Sequence, residues 1–570
     1  MSDSQGSQRD RNGIAAGSQR DLECDVAIVG SGFAGSLFAV IARRLGRSVV
    51  LLEKETHPRF AIGESSSPLA NLVLEELCNR YGLDRIRPLA AWGTWQRTYP
   101  RIGCGLKRGF TFYGHKAGEP FRGDPWRRDQ LLVAASPRDE VADTHWYRPD
   151  FDHFLVREAQ AAGAEYLDRV KLDGCVEEGD GPVVLRGARG QEPLAVRARL
   201  VVDASGPRGF LFRALGLPEA GFPGFPSTEG LYTHFTGVPR LEDLEPFSES
   251  FGGRPPYPID DAAVHHVFEE GWVWVLRFNN GIVSAGVAAL PGLAGELRLS
   301  EGEAAWRRLL GRFPTLHAQF ARARTVRPFV HAAPLPFRVS KAAGARWALL
   351  PSAAAFVDPL LSTGFPLALL GIQRLALALE EGWGTAALPH ALAAYERTIL
   401  EEAGTAALLV SALFAAFADF ELFGAVTLLY FAAASFSETA RRLSRPELAD
   451  RFLCANHPTF GRAFSRCCAD VIEAAKRRTL ARERGRLIDQ IFEAIEPLDV
   501  AGLSDRSRRN WHPMEARTLL QSAHKLGVTR EAMEGLLSAS GFEPREAARS
   551  GAGVSPAASS SPAAAGIGSR

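Results

Sequence analysis

An excess of either charge is missing from this sequence: 66 Lys and Arg stand against 65 Asp and Glu. That balance supports neither a nucleic-acid-binding surface nor an acidic tail. Cysteine is sparse and unpatterned. The seven, at positions 24, 78, 104, 175, 454, 467 and 468, are odd in number and show no two-residue-spaced pairs. Reduced thiols fit better than a disulfide frame or a zinc site, and no metal is expected. The opening "MSDSQGSQRDRNGIAAGSQR" lacks an apolar run long enough for a secretory signal, so a cytoplasmic location is expected. The very apolar stretch from Gly404 to Phe436 is interrupted by Asp419 and Glu421. Its pieces fall short of the about 20 residues a spanning helix needs, which points to buried helices and no membrane. Solenoid-type repeats are absent as well.

What is present is a globular chain of 570 residues, 46% hydrophobic, long enough for two or three packed units. "DVAIVGSGFAGSLFAVIARRLGRSVVLLEK" has the order buried strand, glycine turn, helix, second strand. Val26 to Val29 suit a parallel strand covered on both faces, and Phe33 to Leu45 keep helical spacing. Gly46 sits where a helix ends, and Ser48 to Leu52 give the next strand. Strand-like stretches then alternate with helical pieces to about residue 350, and helices dominate from about 365 to 540. The expected fold class is α/β, a Rossmann-like nucleotide-binding domain with an inserted mixed β-sheet and a helical C-terminal region. The expected boundaries are a tail at 1–22, the nucleotide-binding body at 23–375 and helices at 376–545. A Ser/Pro/Ala/Gly-rich disordered tail follows at 546–570. The inserted sheet is placed at about 85–145 and 215–335.

Gly30, Gly32 and Gly35 form G-x-G-x-x-G between strand and helix, with Phe33 and Ala34 inside the motif. The glycines serve the tight turn, the approach of backbone to a pyrophosphate, and close helix–strand packing. Glu53 ends the second strand 18 residues past Gly35, where a carboxylate can accept from an adenosine ribose.

"GCGLKRGFTFYGHK" reads as one strand in which Lys107 shares a face with Gly109, Thr111 and Tyr113. Leu106, Arg108, Phe110 and Phe112 take the other. Lys107 is then either a snorkelling surface lysine or a positive charge held over a cavity. In "VDPLLSTGFPLALLG", Ser362 or Thr363 suits a helix N-cap and Pro366 a first turn. Backbone N–H groups near Thr363 and Gly364 would attract an anion or a flavin oxygen, although a plain capped helix is the simpler reading. His115, His265 and His266 are candidate bases that more simply read as structural histidines.

The Gly30 turn, the second strand-then-glycine turn "VVDASGPRG" and the Asp358 segment together resemble the layout of flavoprotein monooxygenases, in which FAD lies extended across distant segments. More specifically, residues from about 24 to at least 440 resemble the flavin-dependent halogenases. The resemblance rests on "PRFAIGESSSP" (Pro58 to Pro68), the R-x-x-F-D-x-x-L pattern at Arg148, Phe151, Asp152 and Leu155, and Trp272 and Trp274 in "GWVWVLRF". Leu276-Arg277 stands where the family has Ile-Pro. Pro351-Ser352 stands where flavoproteins of this superfamily carry Gly-Asp. Leu361 stands where the tryptophan-specific branch has glutamate, which favours the phenol-type branch.

The resemblance implies an FADH2-dependent halogenase that uses O2 and chloride or bromide on a small phenolic substrate. Lys107 would be catalytic, holding or reacting with hypohalous acid. It implies Lys54, Arg59, Ser65, Arg148 and Asp358 as further cofactor contacts, and a halide at Thr363 and Gly364. Phe110, Tyr113, Trp272 and Trp274 would line the substrate pocket. Phe414, Phe417, Phe420 and Phe431 are further candidates that read as core. No second G-x-G-x-x-G serves a nicotinamide, so a separate flavin reductase is the expected partner, with the chain a monomer or homodimer. An FAD-dependent aromatic hydroxylase or reductase without halide use, and a non-catalytic flavin-binding protein, remain open.

Overall fold

The structure is a computed structural model that describes residues 20–177, 179, 181–244, 247, 253–540 and 542. Residues 1–19 and the tail expected at 546–570 lie outside the described residues. The chain opens with β1 (Arg20–Val29), α1 (Phe33–Arg44) and β2 (Val49–Leu52). β1 takes in the last three residues of the expected tail, because Arg20 already pairs with Leu194 in the sheet.

Next come α2 (Pro68–Tyr81), β3 (Cys104–Lys107), β4 (Gly109–Gly114), β5 (Gln130–Ala134), β6 (Asp143–Trp146) and α3 (Arg148–Ala161). β7 (Glu165–Leu167), β8 (Val170–Glu177), β9 (Val183–Arg189) and β10 (Glu192–Asp203) complete the first half. β1 lies between β2 and β10 in a seven-stranded sheet ordered β7-β2-β1-β10-β9-β8. Its centre is parallel and covered on both faces, so Val26 and Ile28 are fully buried, whereas β8 and β9 form an antiparallel extension.

The second sheet has nine strands. Its later members are β11 (Glu229–Thr236), β12 (Ala263–Phe268), β13 (Gly271–Arg277) and β14 (Val283–Ala289), ordered β11-β14-β13-β12-β4-β5. Short helices α4 (Pro291–Leu297), α5 (Glu303–Arg312) and α6 (Pro314–Phe320) cover its outer face. The chain returns to the first sheet as β15 (Trp347–Leu349), parallel to β10.

Helices α7 (Gly364–Gly382), α8 (Ala387–Ala416), α9 (Phe420–Arg442), α10 (Phe460–Lys476) and α11 (Leu480–Ile495) follow, and β16 (Trp511–His512) adds to the edge at β5. One large core joins the first sheet, the inner face of the second and these helices, and a smaller core lies beneath α4 to α6. The expected short apolar pieces are in fact long helices. α7 with its leading turn, α8 and α9 are each long and apolar enough to cross a membrane. Their most apolar stretches are 72%, 67% and 83% buried within the protein, so they serve as core. Asp419 does not cut a helix but starts one, its carboxylate accepting from the Leu422 N–H at 3.2 Å.

Candidate active site

The glycine turn is shaped as its spacing requires. Gly30 has φ +98°, and a Cβ there would stand 2.7 Å from the Ala204 carbonyl oxygen. A Cβ on Gly35 would stand 2.0 Å from the Gly30 oxygen, so α1 and β1 could not approach. At Gly32 the nearest atom is Arg148 Nη2 at 3.4 Å, leaving backbone open toward charged side chains. Behind the turn, the buried Glu53 carboxylate accepts from Ser31 N (3.0 Å), Ser31 Oγ (2.8 Å) and Arg59 Nη2 (3.0 Å). Burial opposes its charge, but Arg59 and the N–H donors outweigh that and hold the carboxyl below its ordinary range. This cradle of bare backbone, a helix N-terminus and an ionised carboxylate fits an adenine dinucleotide.

Arg148 reaches the turn from the start of α3. It pairs twice with Asp152, at 2.7 and 2.8 Å, and donates to the Ile62 and Gly63 carbonyls. Phe33 packs edge-on against Trp146 and Phe365, and Trp146 stacks on Phe365 at 4.3 Å. The first helix start, β6 and the start of α7 therefore meet. Lys54 does not join them, since its side chain is 78% exposed. "VVDASGPRG" ends β10 beside the Gly30 turn, where Asp203 accepts from Ser205 N, Ser205 Oγ and Leu211 N. Pro351-Ser352 begins at the end of β15, and Pro351 packs against Gly371 of α7.

Lys107 departs from the single-strand reading. The chain breaks at Arg108, so β3 pairs with β6 while β4 joins the large sheet. Arg108 anchors the break by donating to Asp139 Oδ1 and the Pro137 carbonyl. That change of direction places Lys107 Nζ over the Phe110 ring, 3.7 Å from its centre, on the side that alternation had denied it. Lys107 is fully buried, not snorkelling. Its ammonium donates to Ser65 Oγ at 2.9 Å and to the Ser66 carbonyl. Ser65, expected against a cofactor, thus holds the lysine. Burial pushes the Lys107 pKa down and the charge of Asp143 opposes that. Asp143 lies opposite Lys107 in the β3–β6 register, is pushed up by burial and then by Glu438, and accepts from Asn71 Nδ2 at 3.0 Å.

Trp272 and Trp274 lie buried on the inner face of β13. The Trp272 indole donates to Asp358 Oδ1 at 3.2 Å, and the Leu360 N–H donates to the same oxygen at 3.0 Å. Asp358 therefore ties the large sheet to the turn before α7. In that turn Leu361 and Ser362 have φ +65° and +55°, two consecutive side-chain-bearing residues in the left-handed region. The turn leads straight into α7, so the backbone N–H groups of Thr363 and Gly364 lie at the helix start. The expected side-chain cap is not made: Thr363 occupies the N-cap position without a side-chain hydrogen bond.

Tyr113 is corrected out of the pocket. It faces the smaller core, packed on Phe121 and Phe247, because Phe110 and Phe112 take the inner face of β4. His115 and His266 pair at 2.8 Å between buried rings, whereas His265 stacks on Phe112 at 4.4 Å on the inner face. Phe110 and Phe431 line a narrow apolar cavity of about 50 Å³, together with Tyr430 and residues near 501–519. Phe414, Phe417 and Phe420 are core. The sequence reading missed Asp143, His145, Asn71 and the Glu64–His234 pair at 2.7 Å. Glu64 sits inside "GESSSP", a signal that was available, but Asp143 and His145 lie in a stretch with no pattern of its own.

The sequence profile described as FAD dependent oxidoreductase matches residues 25–347. The chain is 33% identical over 353 residues to the tetracycline 7-halogenase of Kitasatospora aureofaciens, covering 60% of this chain and 61% of that one. It is 31% identical over 361 residues to the monodechloroaminopyrrolnitrin halogenase PrnC of Pseudomonas fluorescens, covering 62% and 61%. The match spans about three-fifths of the length of both relatives. Halogenase PltM, solved in complex with phloroglucinol and FAD, superimposes with a TM-score of 0.73 at 26% identity over 85% of this chain and 99% of that one.

Proposed function

This chain belongs to the FAD dependent oxidoreductase family, and we propose that it is a flavin-dependent halogenase acting on a phenolic ring with chloride or bromide. The observation that carries the reading is the fully buried Lys107, held by Ser65 and Ser66 over a ring that lines an apolar cavity. A lysine kept from water has a depressed pKa and loses its proton more readily than a surface lysine. The named halogenases among its relatives support the same chemistry.

Gly30, Gly32, Phe33, Ala34, Gly35, Glu53, Arg59 and Arg148 would hold the dinucleotide. Bound as FADH2, the flavin supplies with O2 the two-electron oxidation of halide to hypohalous acid, with water as the other product. Thr363 and Gly364 would receive the halide on their backbone N–H groups. Lys107 presents the electrophilic halogen to the ring, either by hydrogen-bonding hypohalous acid or as a haloamine. The ring carbon gains halogen and loses a proton. Trp272 and Trp274 exclude water between the two regions. Reduced flavin comes from a separate reductase, in the cytoplasm.

The test supplies the purified chain with an external flavin reductase, FAD, NADH, O2, bromide or chloride and a panel of phenols, and reads products by mass. Lys107→Ala is expected to lose about 100-fold or more of the halogenating rate while binding FAD as the parent does. Hydroxylated product alone would identify a halide-independent monooxygenase, rapid flavin reduction by NADH without the external enzyme would point to a reductase, and flavin binding without turnover would leave a non-catalytic flavoprotein.

A further inference from the structure

The two oxygens of the Glu53 carboxylate are unequally occupied. Oε2 accepts from Ser31 N at 3.0 Å, Ser31 Oγ at 2.8 Å and Arg59 Nη2 at 3.0 Å. The one donor to Oε1 among the described residues is the Glu55 N–H, at 3.0 Å. A carboxylate has about four lone-pair sites, two on each oxygen, so Oε2 is closed and Oε1 keeps room for a further donor.

The chain after β2 curls back to make this arrangement. The Glu55 N–H bonds to Oε1, His57 reaches Ser31 and Arg59 reaches Oε2, while Thr56 Oγ1 pins the curl to Asp168 Oδ2 at 3.1 Å. His57 Nε2 lies 2.8 Å from Ser31 Oγ, with the rings of His153 and Tyr166 on either side at 6.3 and 6.5 Å. A serine hydroxyl has one proton, and here it goes to Glu53, because an ionised carboxylate only accepts. Ser31 Oγ is therefore the acceptor in its contact with His57, and Nε2 carries the proton. Nδ1 is buried without a partner, which suits the neutral ring, since a second N–H there would be stranded. Burial, then the charge of Arg59, pushes the His57 pKa down in the same sense, with Asp152 and Glu53 opposing. The donors thus run in one direction, from His57 to Ser31 to Glu53.

We propose that His57 is a positioning residue for the adenosine half of the cofactor. It holds the Ser31 hydroxyl toward Glu53, which closes Oε2 and leaves Oε1 to accept from a ribose hydroxyl. This rests on the glycine turn being a dinucleotide cradle and is independent of the halide chemistry.

The experiment measures FAD binding to the full chain by flavin fluorescence, and binding of ADP and of 2′,3′-dideoxy-ADP by displacement of FAD. His57→Leu is expected to weaken FAD and ADP alike, about fivefold, and the dideoxy compound by less than about twofold, since the effect reaches the ligand through a ribose hydroxyl. A general loosening of the loop would weaken both diphosphates equally. His57→Gln, whose amide N–H can donate to Ser31 Oγ, is expected to recover most of the loss. The double variant His57→Leu with Ser31→Ala should bind FAD as Ser31→Ala alone does, because His57 acts through that hydroxyl. Parental FAD affinity in His57→Leu, equal weakening of the two diphosphates, or additive losses in the double variant overturns the proposal. A parent chain that binds neither FAD nor ADP overturns the dinucleotide cradle itself, and this assignment with it.

Discussion

Lys107 and Asp143 face each other across the β3–β6 pair, and Glu438 and Arg442 of α9 also act on Asp143. Desolvation disfavours the ammonium and the carboxylate alike, and their opposite charges partly restore both. Asp143→Asn removes the attraction that favours the protonated lysine, so the Lys107 pKa falls further. Whichever limb of the pH–rate profile Lys107 sets is therefore expected to move to lower pH. Movement of the acidic limb would show that a neutral amine reacts. Movement of the alkaline limb would show that an ammonium holds hypohalous acid, and no movement would uncouple the pair. Asp358 gives a second test. Burial raises its carboxyl to about 7, so from about pH 4 upward the native state keeps a proton that the unfolded chain has lost. Stability attributable to Asp358 thus falls as pH rises from about 4 through 7. Asp358→Asn should flatten that part of a thermal-midpoint-against-pH curve.

At the scale of elements, the turn from Leu361 to Gly364 carries the halide proposal. Two left-handed residues in succession are costly unless the surroundings enforce them, and here Asp358 and the packing of α7 do so. Ser362→Gly relieves strain in the folded turn but gives the unfolded chain more freedom, two effects of similar size, so stability should change by less than about 1 kcal/mol. The loosened turn is expected to raise KM for bromide with little change in FAD affinity, measured by halide titration and flavin fluorescence. The break between β3 and β4 works in the same way. One strand running through Arg108 would carry Lys107 onto a different face, and separating the two strands brings the lysine over Phe110.

For the whole molecule, the question is what the apolar C-terminal helices do. α8 and α9 have the length and composition of membrane spans, but most of that surface packs against α2, α10, α11 and the inner face of the large sheet. Exposing it to lipid would require unpacking the core that carries Tyr430 and Phe431 to the cavity. The purified chain is therefore expected to remain in the aqueous fraction in flotation with lipid vesicles, and co-flotation would contradict this packing.

The first βαβ unit was legible in the sequence because glycine spacing, strand burial and helix period are local properties, and Gly30, Gly32, Gly35 and Glu53 take the places their pattern implied. Arg148 was legible only through its motif. The partners of Lys107 were not. Asp143, His145 and Ser65 are remote from it in sequence and meet it through strand register. Alternation misplaced Lys107, since the break at Arg108 reverses the facing of what precedes it; it set Tyr113 opposite Phe110 and Phe112 as observed, and only the assignment of Tyr113 to the pocket failed. His512 lies beyond any recognised pattern and reaches the cavity only because a two-residue strand joins the edge of the large sheet. Sequence alone determined the nucleotide cradle, whose requirements are met within a few consecutive residues. Tertiary structure decided the burial and partners of Lys107, because those depend on which distant side chains exclude water from it.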